Sequence, residues 1–466
     1  MKKIIYAIFF LSCLSACNNS LNITPKGETV LDNISDIETL LNQNYDLGTP
    51  IYSLGCICNE CYTLGDNVKL LTTRTNTLQC AWLTYNEQTD RKALTSSDIR
   101  YTNSYKYIYY MNVIIGKLGS IEGAETEKAQ LSAEAHIMRA YLHWLLINMY
   151  AAQYDESTAT NKGGIPYVTD YDISANKEKV SLAEVYKNIL LDCDDKYINA
   201  LPDKPTSVLR AGKAWGNAVR AKVLMQMKRY SDALPYALNA LKYNDTIEDR
   251  SVITTSFDWS LLRTSANNLL YMCGYTAPYQ EIISLETVDK FEEGDFVKNY
   301  AYTEGSKMEG EEAWNATYGE LDGGVNGALE YRSSNTNLNC WGITAERMYY
   351  TAAECYIRTG EYQKGLDLVN QVRRYRIDSD HYTSLIADNE SEAMLLLQKA
   401  KWIECIGTYE NFFDCKRWNT EDNYKKTIIR DIPGIGTFSI KSDSPLWIFP
   451  FPLNATQHNV SLTQNY

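Results

Sequence analysis

From Ala345 to Ile377 apolar side chains recur with the period of a helix, stop at a glycine and start again. Ala345, Tyr349, Ala352, Ala353 and Tyr356 form the first stripe; Tyr362, Leu366, Val369 and Val372 form the second. Gly360, between them, accepts the left-handed backbone on which helices end. The pattern predicts a helical hairpin whose small alanines let the helices pack closely. A related pattern lies earlier in the chain. Ala218, Ala221, Val223 and Leu224 precede a turn at Lys228–Tyr230, and Ala233, Ala237, Ala240 and Leu241 follow it. Gly-x-Tyr in one turn and Lys-x-Tyr in the other mark the two hairpins as repeats, and neither can bury its apolar face alone. They predict an all-α dominated chain built on a tetratricopeptide-like repeat scaffold.

The remaining helical patterns fit that scaffold. A capping box at Ser35-x-x-Glu38 opens a helix through Leu41, and another at Ser181-x-x-Glu184 opens one to about Tyr197. Asp98–Leu118 carries Tyr101, Tyr105, Ile108, Asn112 and Ile115 on one face. Glu127–Tyr150 and Glu392–Phe413 read as further helices, and Gly163–Val168 as a turn into an extended segment. His136 and His143 lie two turns apart on their helix, too far for a metal pair, and read as structural.

Two stretches break the pattern. Residues 244–340 lose helical periodicity and are rich in Gly, Asn, Asp and Tyr, which predicts a long irregular insertion on one face of the repeats. Its Asp322–Gly327 loop lacks the acidic spacing of a calcium loop and reads as a glycine turn. Ile57–Gln88 is likewise short of helical pattern. Just before and within it, Cys56-x-Cys58-x-x-Cys61 lacks the fourth ligand of a zinc site. A disulfide inside that cluster or to Cys80 is the expectation for an exported chain.

Export is written at the start. Lys2 and Lys3 precede an apolar run, Ile4–Leu14, too short to span a bilayer, and Leu14-Ser15-Ala16-Cys17 resembles a bacterial lipobox. That predicts a signal peptide over residues 1–17, lipidation of Cys17, and a flexible tether over 18–30. Composition narrows the class. Among 466 residues the net charge is −13, which argues against a nucleic-acid partner. The 36 tyrosines against 10 phenylalanines favour surfaces that present a flat apolar ring with a hydroxyl. No G-x-S-x-G, H-E-x-x-H or phosphate-binding glycine loop is present, so the chain is not expected to be an enzyme or to need a cofactor or metal.

In order along the chain, several fragments resemble the SusD/RagB-like outer-membrane lipoproteins of Bacteroidota. They are the lipobox cysteine; Tyr101…Ile108…Asn112; Glu134-Ala135…Arg139-Ala140; Gly164-Ile165-Pro166-Tyr167-Val168; Ser181…Glu184-Val185-Tyr186…Ile189; Leu201-Pro202; Glu354; Asn370…Arg373; Asp414…Arg417-Trp418; Pro450-x-Pro452; and Asn459…Leu462…Gln464-Asn465. The chain departs from the family where Ala400-Lys401 stands for Glu-Arg, where Thr408-Tyr409-Glu410-Asn411 stands for Glu-Gly-x-Arg, and where Asn18-Asn19 replaces acidic residues.

The resemblance implies a lipoprotein, tethered to the outer membrane by its lipid alone and facing the exterior. It would capture an oligo- or polysaccharide and pass it to a SusC-like TonB-dependent transporter. Trp and Tyr faces cover the apolar faces of sugars, and Asn, Asp and Arg bind the hydroxyls. On that basis the expected ligand contacts are Asp66, Trp82, Tyr85 and Asn86 from the first irregular stretch, and Tyr275, Tyr279 and Trp314 from the insertion. A RagB-like peptide receptor and a repeat scaffold with protein partners only are the alternatives. The expected organisation is a region 31–243, the insertion 244–340 and a closing region 341–466.

Overall fold

The structure, a computed structural model, describes residues 31–64, 68–253, 266–273, 279–304, 325, 327–333 and 339–466. Its principal helices are α1 (Ile34–Leu41), α2 (Ile99–Lys117), α3 (Glu125–Tyr150), α4 (Leu182–Asp192), α5 (Lys213–Gln226), α6 (Tyr230–Tyr243), α7 (Ala345–Arg358), α8 (Tyr362–Arg374), α9 (Glu390–Glu404) and α10 (Glu410–Trp418). The all-α dominated reading holds. Local chemistry sets the helix ends. Ser181 accepts from the Glu184 N–H, as its capping box requires. In α1 the cap is Asn33, accepting from Asp36 N–H, so that helix starts one residue before Ser35. The helix expected to reach Tyr197 stops at Asp192, because Asp194 caps a separate short helix, Asp195–Ala200. The single helix expected over 392–413 is two, broken where Gly407 takes φ +79°.

The two predicted hairpins close in the same way. Lys228 has φ +60° and Gly360 φ +91°. In each turn the next N–H reaches back five residues, Arg229 to Leu224 O and Glu361 to Tyr356 O, both at 2.9 Å. These are the long bonds of a Schellman ending. The second helix of one hairpin, α6, packs directly on the first helix of the other, α7. The repeats are therefore neighbours in space although residues 244–344 separate them in sequence.

The mouth of that insertion is clamped. Strand β2 (Asn268–Leu270) pairs antiparallel with β6 (Ile343–Thr344). Asn339 ties them, accepting from the N–H groups of Met272 and Gly342 and donating to Leu270 O. The described part of the insertion is not irregular, contrary to expectation. With β1 (Cys61–Leu64), the strands β3 (Tyr279–Ile283), β4 (Tyr302–Glu304) and β5 (Leu329–Ser333) make an antiparallel sheet in the order β1-β3-β5-β4. A hairpin, β7 (Ile428–Ile432) and β8 (Gly436–Ile440), follows α10.

Buried charges lock the helices together. Arg417 of α10 holds Glu354 of α7 through two hydrogen bonds of 2.8 Å, and the Trp418 indole N–H adds a third at 3.0 Å. Lys222 of α5 donates to both oxygens of Glu410 at 2.6 and 2.7 Å, while Lys401 of α9 pairs with Asp414 at 2.5 Å. In the first half, Arg139 of α3 bridges Asp192 of α4, at 2.6 and 2.7 Å, and Asn112 of α2, at 2.7 Å. His143 is fully buried, bonding Arg139 O through Nδ1 and accepting from Val168 N–H through Nε2, so the ring is neutral and structural, as expected. His136 bonds Asp192.

Burial acting alone would raise the Glu354 carboxyl, but Arg417 outweighs it and holds the group at about 2. Lys222 and Lys401 do the same for Glu410, also at about 2. Burial pushes His143 down to about 3. In each case the unfolded chain takes up a proton at a higher pH than the native one. Unfolding free energy is therefore expected to fall as pH drops, first from about 6.5 through the histidine window, then faster from 4.5 towards 2. Urea denaturation across pH 7 to 3 checks this; a flat profile would contradict it. Glu354→Leu leaves Arg417 buried without its main partner, and is expected to cost about 3–5 kcal/mol in the same assay at pH 7.

Candidate functional site

The expected ligand residues divide into two groups. Asp66, Tyr275 and Trp314 lie outside the described residues, as do Cys17, the signal peptide, the tether and most of the Asp322–Gly327 loop. The strands flanking them are described. Strand β1 ends at Leu64, which pairs with Glu281, two residues from the Tyr279 that begins β3. The C-terminal end of β1 and the N-terminal end of β3 thus lie at the same end of the sheet. The pairing joins the first irregular stretch to the insertion through one sheet.

Trp82 and Tyr85 are not a sugar platform. Trp82 is 8% exposed on a short helix, Leu78–Leu83, and packs edge-on against Phe449. Tyr85 is 6% exposed, with the Arg430 guanidinium 4.2 Å over its ring. A large ring beside a nearby core gains more from leaving water than from staying exposed. Neither Trp82 Nε1 nor Tyr85 Oη has a hydrogen-bond partner among the described residues. Asn86 is half-buried and accepts from Gln88 N–H.

Sequence reasoning missed the residue that organises this region. Arg430, on β7, is fully buried. It donates to the carbonyls of Trp82 (3.0 Å), Leu83 (2.6 Å) and Cys56, and to Asn59 Oδ1 (2.9 Å). Asn59 sits at φ +65°, which asparagine tolerates. Its amide donates to Glu286, and its carbonyl accepts from Ser284 Oγ at 2.6 Å. Its neighbour Glu60 accepts from Gly407 N–H and from Asn411. The expected disulfide does not form: Cys56, Cys58 and Cys80 are buried free thiols, and burial raises both Cys56 and Cys58. The chemistry of the Cys-x-Cys-x-x-Cys stretch lies in the Asn59–Glu60 pair between its cysteines, which joins the sheet to α10 and the loop before it.

A second feature was also missed. Tyr101, Tyr105 and Tyr109 repeat every fourth residue along α2, and this stripe climbs from core to surface, Tyr101 being 8% and Tyr109 37% exposed. With Pro166, Val168, the loop from Asp170 to Lys177 and the tail residues Asn454, Asn459 and Leu462, it lines an open cleft of about 410 Å³. The four-residue spacing was the signal; the sequence reading placed Tyr101 and Tyr105 on one helix face and did not extend the stripe to Tyr109.

Comparisons with known proteins agree on one family. A SusD-like profile described as "Starch-binding associating with outer membrane" matches residues 26–225, and the SusD family profile matches residues 292–466. Among solved structures, a SusD superfamily protein from Bacteroides thetaiotaomicron superposes with a TM-score of 0.67 at 14% identity, over 93% of this chain and 100% of its own. One from Bacteroides vulgatus gives 0.68 at 13%, over 93% and 99%. Surface glycan-binding protein A from Bacteroides uniformis gives 0.67 at 15%, over 92% and 99%. At these identities the likeness is one of fold. No curated protein matches in sequence.

Removing Arg430 orphans buried acceptors, each worth about 1–3 kcal/mol. Arg430→Met is therefore expected to lower unfolding free energy by at least about 3 kcal/mol. Trp82→Ala is expected to cost about 3–5 kcal/mol as a core truncation. Denaturant titration of both variants, beside circular dichroism, measures this.

Proposed function

The chain belongs to the SusD/RagB-like family, and from that membership we propose that it is a carbohydrate-binding protein of the outer membrane. In this reading it is lipidated at Cys17 and faces the exterior. It takes up an oligo- or polysaccharide and delivers it to a SusC-like TonB-dependent transporter. No helix among the described residues is long and apolar enough to cross a membrane, so the acyl groups on Cys17 would carry the membrane attachment. The protein binds its ligand and does not transform it.

The observation that carries the reading is the pairing of β1 with β3. It sets the C-terminal end of β1, two residues before Asp66, beside the start of β3 at Tyr279. Residues of this kind suit a pyranose, whose apolar C–H face is ringed by hydroxyls. The site proposed on this basis is Asp66, Asn86, Tyr275, Tyr279 and Trp314. Trp82 and Tyr85 are left out of it because both are buried. The glycan-binding name of the Bacteroides uniformis neighbour and the starch-binding description of the matched family point the same way.

Native gels cast with amylopectin, xylan, mannan or host-type glycans test the proposal. Retardation of the unlipidated chain by one polysaccharide is expected, with about a tenfold weaker effect for Trp314→Ala at unchanged melting temperature, a scale set by losing one stacking contact of about 1–3 kcal/mol. No retardation by any polysaccharide, together with binding to a peptide library, would replace this reading by the RagB-like peptide receptor.

A further inference from the structure

The tyrosine-lined cleft shares no lining residue with the proposed site at the sheet, and it has the parts of a ligand site. Its floor is apolar: Tyr101 and Leu462 are buried, beside Pro166 and Val168. Two rings stand at its rim, Tyr109 at 37% and Tyr171 at 44% exposure. Tyr171 is held by shape. Its ring lies on the α2 backbone at Gly116, where a Cβ would meet the ring edge at 2.5 Å, so only glycine allows the approach.

The loop carrying Tyr171 is pinned from three sides. Asn112 donates to the carbonyls of Val168 and Asp170, both at 3.0 Å, Lys177 pairs with Asp170, and Asn459 donates to Lys177 O at 2.6 Å. The ring is therefore presented on a braced loop. Around the rings stand polar groups of mixed kind. Asp170 and Asp172 are exposed and held ionised, the first by its hydrogen bond from Lys177 and the second by that from Ser174. Each carboxylate has about four acceptor positions, and their internal partners use only some of them. Lys177, Asn454 and Asn459 supply donors.

We propose that this cleft is a second carbohydrate-binding subsite, with Tyr109 and Tyr171 covering the faces of pyranose units and Asp170 and Asp172 accepting from vicinal hydroxyls. The inference rests on the glycan reading above and adds a place on the repeat scaffold where the same polymer is held. The cleft volume of about 410 Å³ falls within the ~300–1,000 Å³ of small-ligand sites. Anionic ligands are disfavoured by the two carboxylates and by the chain's net charge of −13. A fatty chain would make no use of the carboxylates and amides around the rings. A peptide bound by strand addition would need a sheet edge, and the cleft is built from helix and loop. Two subsites for one polymer bind it by avidity, so each can be weak alone.

The test is calorimetric titration of the full unlipidated chain with an oligosaccharide cut from the polysaccharide that retards it in gels. Two sites per chain are expected for the wild type. Tyr109→Ala with Tyr171→Ala is expected to leave one site and to weaken gel retardation about tenfold. Trp314→Ala is expected to remove the other site and leave the cleft. Both tyrosines are exposed, and Asp170→Asn with Asp172→Asn gives a variant of unchanged shape that should weaken the same site. A wild-type stoichiometry of one, or two sites untouched by either cleft variant, overturns the subsite and leaves the glycan reading standing. Failure of every polysaccharide to retard the wild type overturns both, and cleft variants that instead lose a bound peptide give the cleft to the other ligand class.

Discussion

A cation taken out of water has to be given acceptors, and in this chain that requirement fixes which helices touch. Arg417 is fully buried and its two terminal nitrogens donate to Glu354, Asp414 and Tyr230, so α10 has to dock on α7 in one register. Arg139 does the same for α2, α3 and α4 through Asn112 and Asp192. Lys416 has no carboxylate partner among the described residues. It donates to Asn148 O and Ala151 O at the end of α3, where the helix leaves carbonyls unpaired. Apolar burial drives these helices together without choosing among offsets along their axes. The paired charges make the choice, because a slip of one turn would leave a buried charge alone.

The same requirement explains what was legible in the sequence. The hairpins could be read because their signals are local: alanines at helical spacing, and a residue that accepts positive φ just before x-Tyr. The strands of the insertion could not, since β3, β4 and β5 are short and gain their partners only through pairings with distant segments, including β1. The burial of Trp82 and Tyr85 was illegible for a related reason. It depends on Arg430, which lies 348 residues from Trp82 and 347 from Leu83 in sequence. Nothing around Trp82 announces that cover. The Cys-x-Cys-x-x-Cys spacing drew attention to sulfur chemistry, while the residues with long-range partners were Asn59 and Glu60.

The fragments that carry the family resemblance turn out to be mostly such joints. Asn112, Arg139 and Val168 meet around His143 and Asp192. Glu134 binds Arg210 and the Ala211 N–H. Gln464 makes a reciprocal pair with the Phe451 backbone, and Asn465 bridges the carbonyls of Tyr150 and Gly164. The departure at Lys401 keeps a charged joint. Lys401 takes the place of an arginine, and its ammonium reaches both Asp414 and Glu410, a pair of point contacts in place of a planar fork.

It follows that the resemblance is chiefly a statement about the scaffold. Residues that must satisfy buried charges are constrained by their partners and carry little information about a ligand. In the proposed reading, ligand choice falls to surfaces that the joints leave free. The insertion is one, entering and leaving between α6 and α7 through the β2–β6 clamp, so its length and composition can vary without disturbing the stacked hairpins. The tyrosine stripe of α2 is the other. Its inner end, Tyr101, is packed against Tyr150 and Phe451, while its outer end is open to water. One helix face thus serves the core at one end and solvent at the other, because a four-residue spacing falls slightly out of step with the helix and turns the stripe outward along its length.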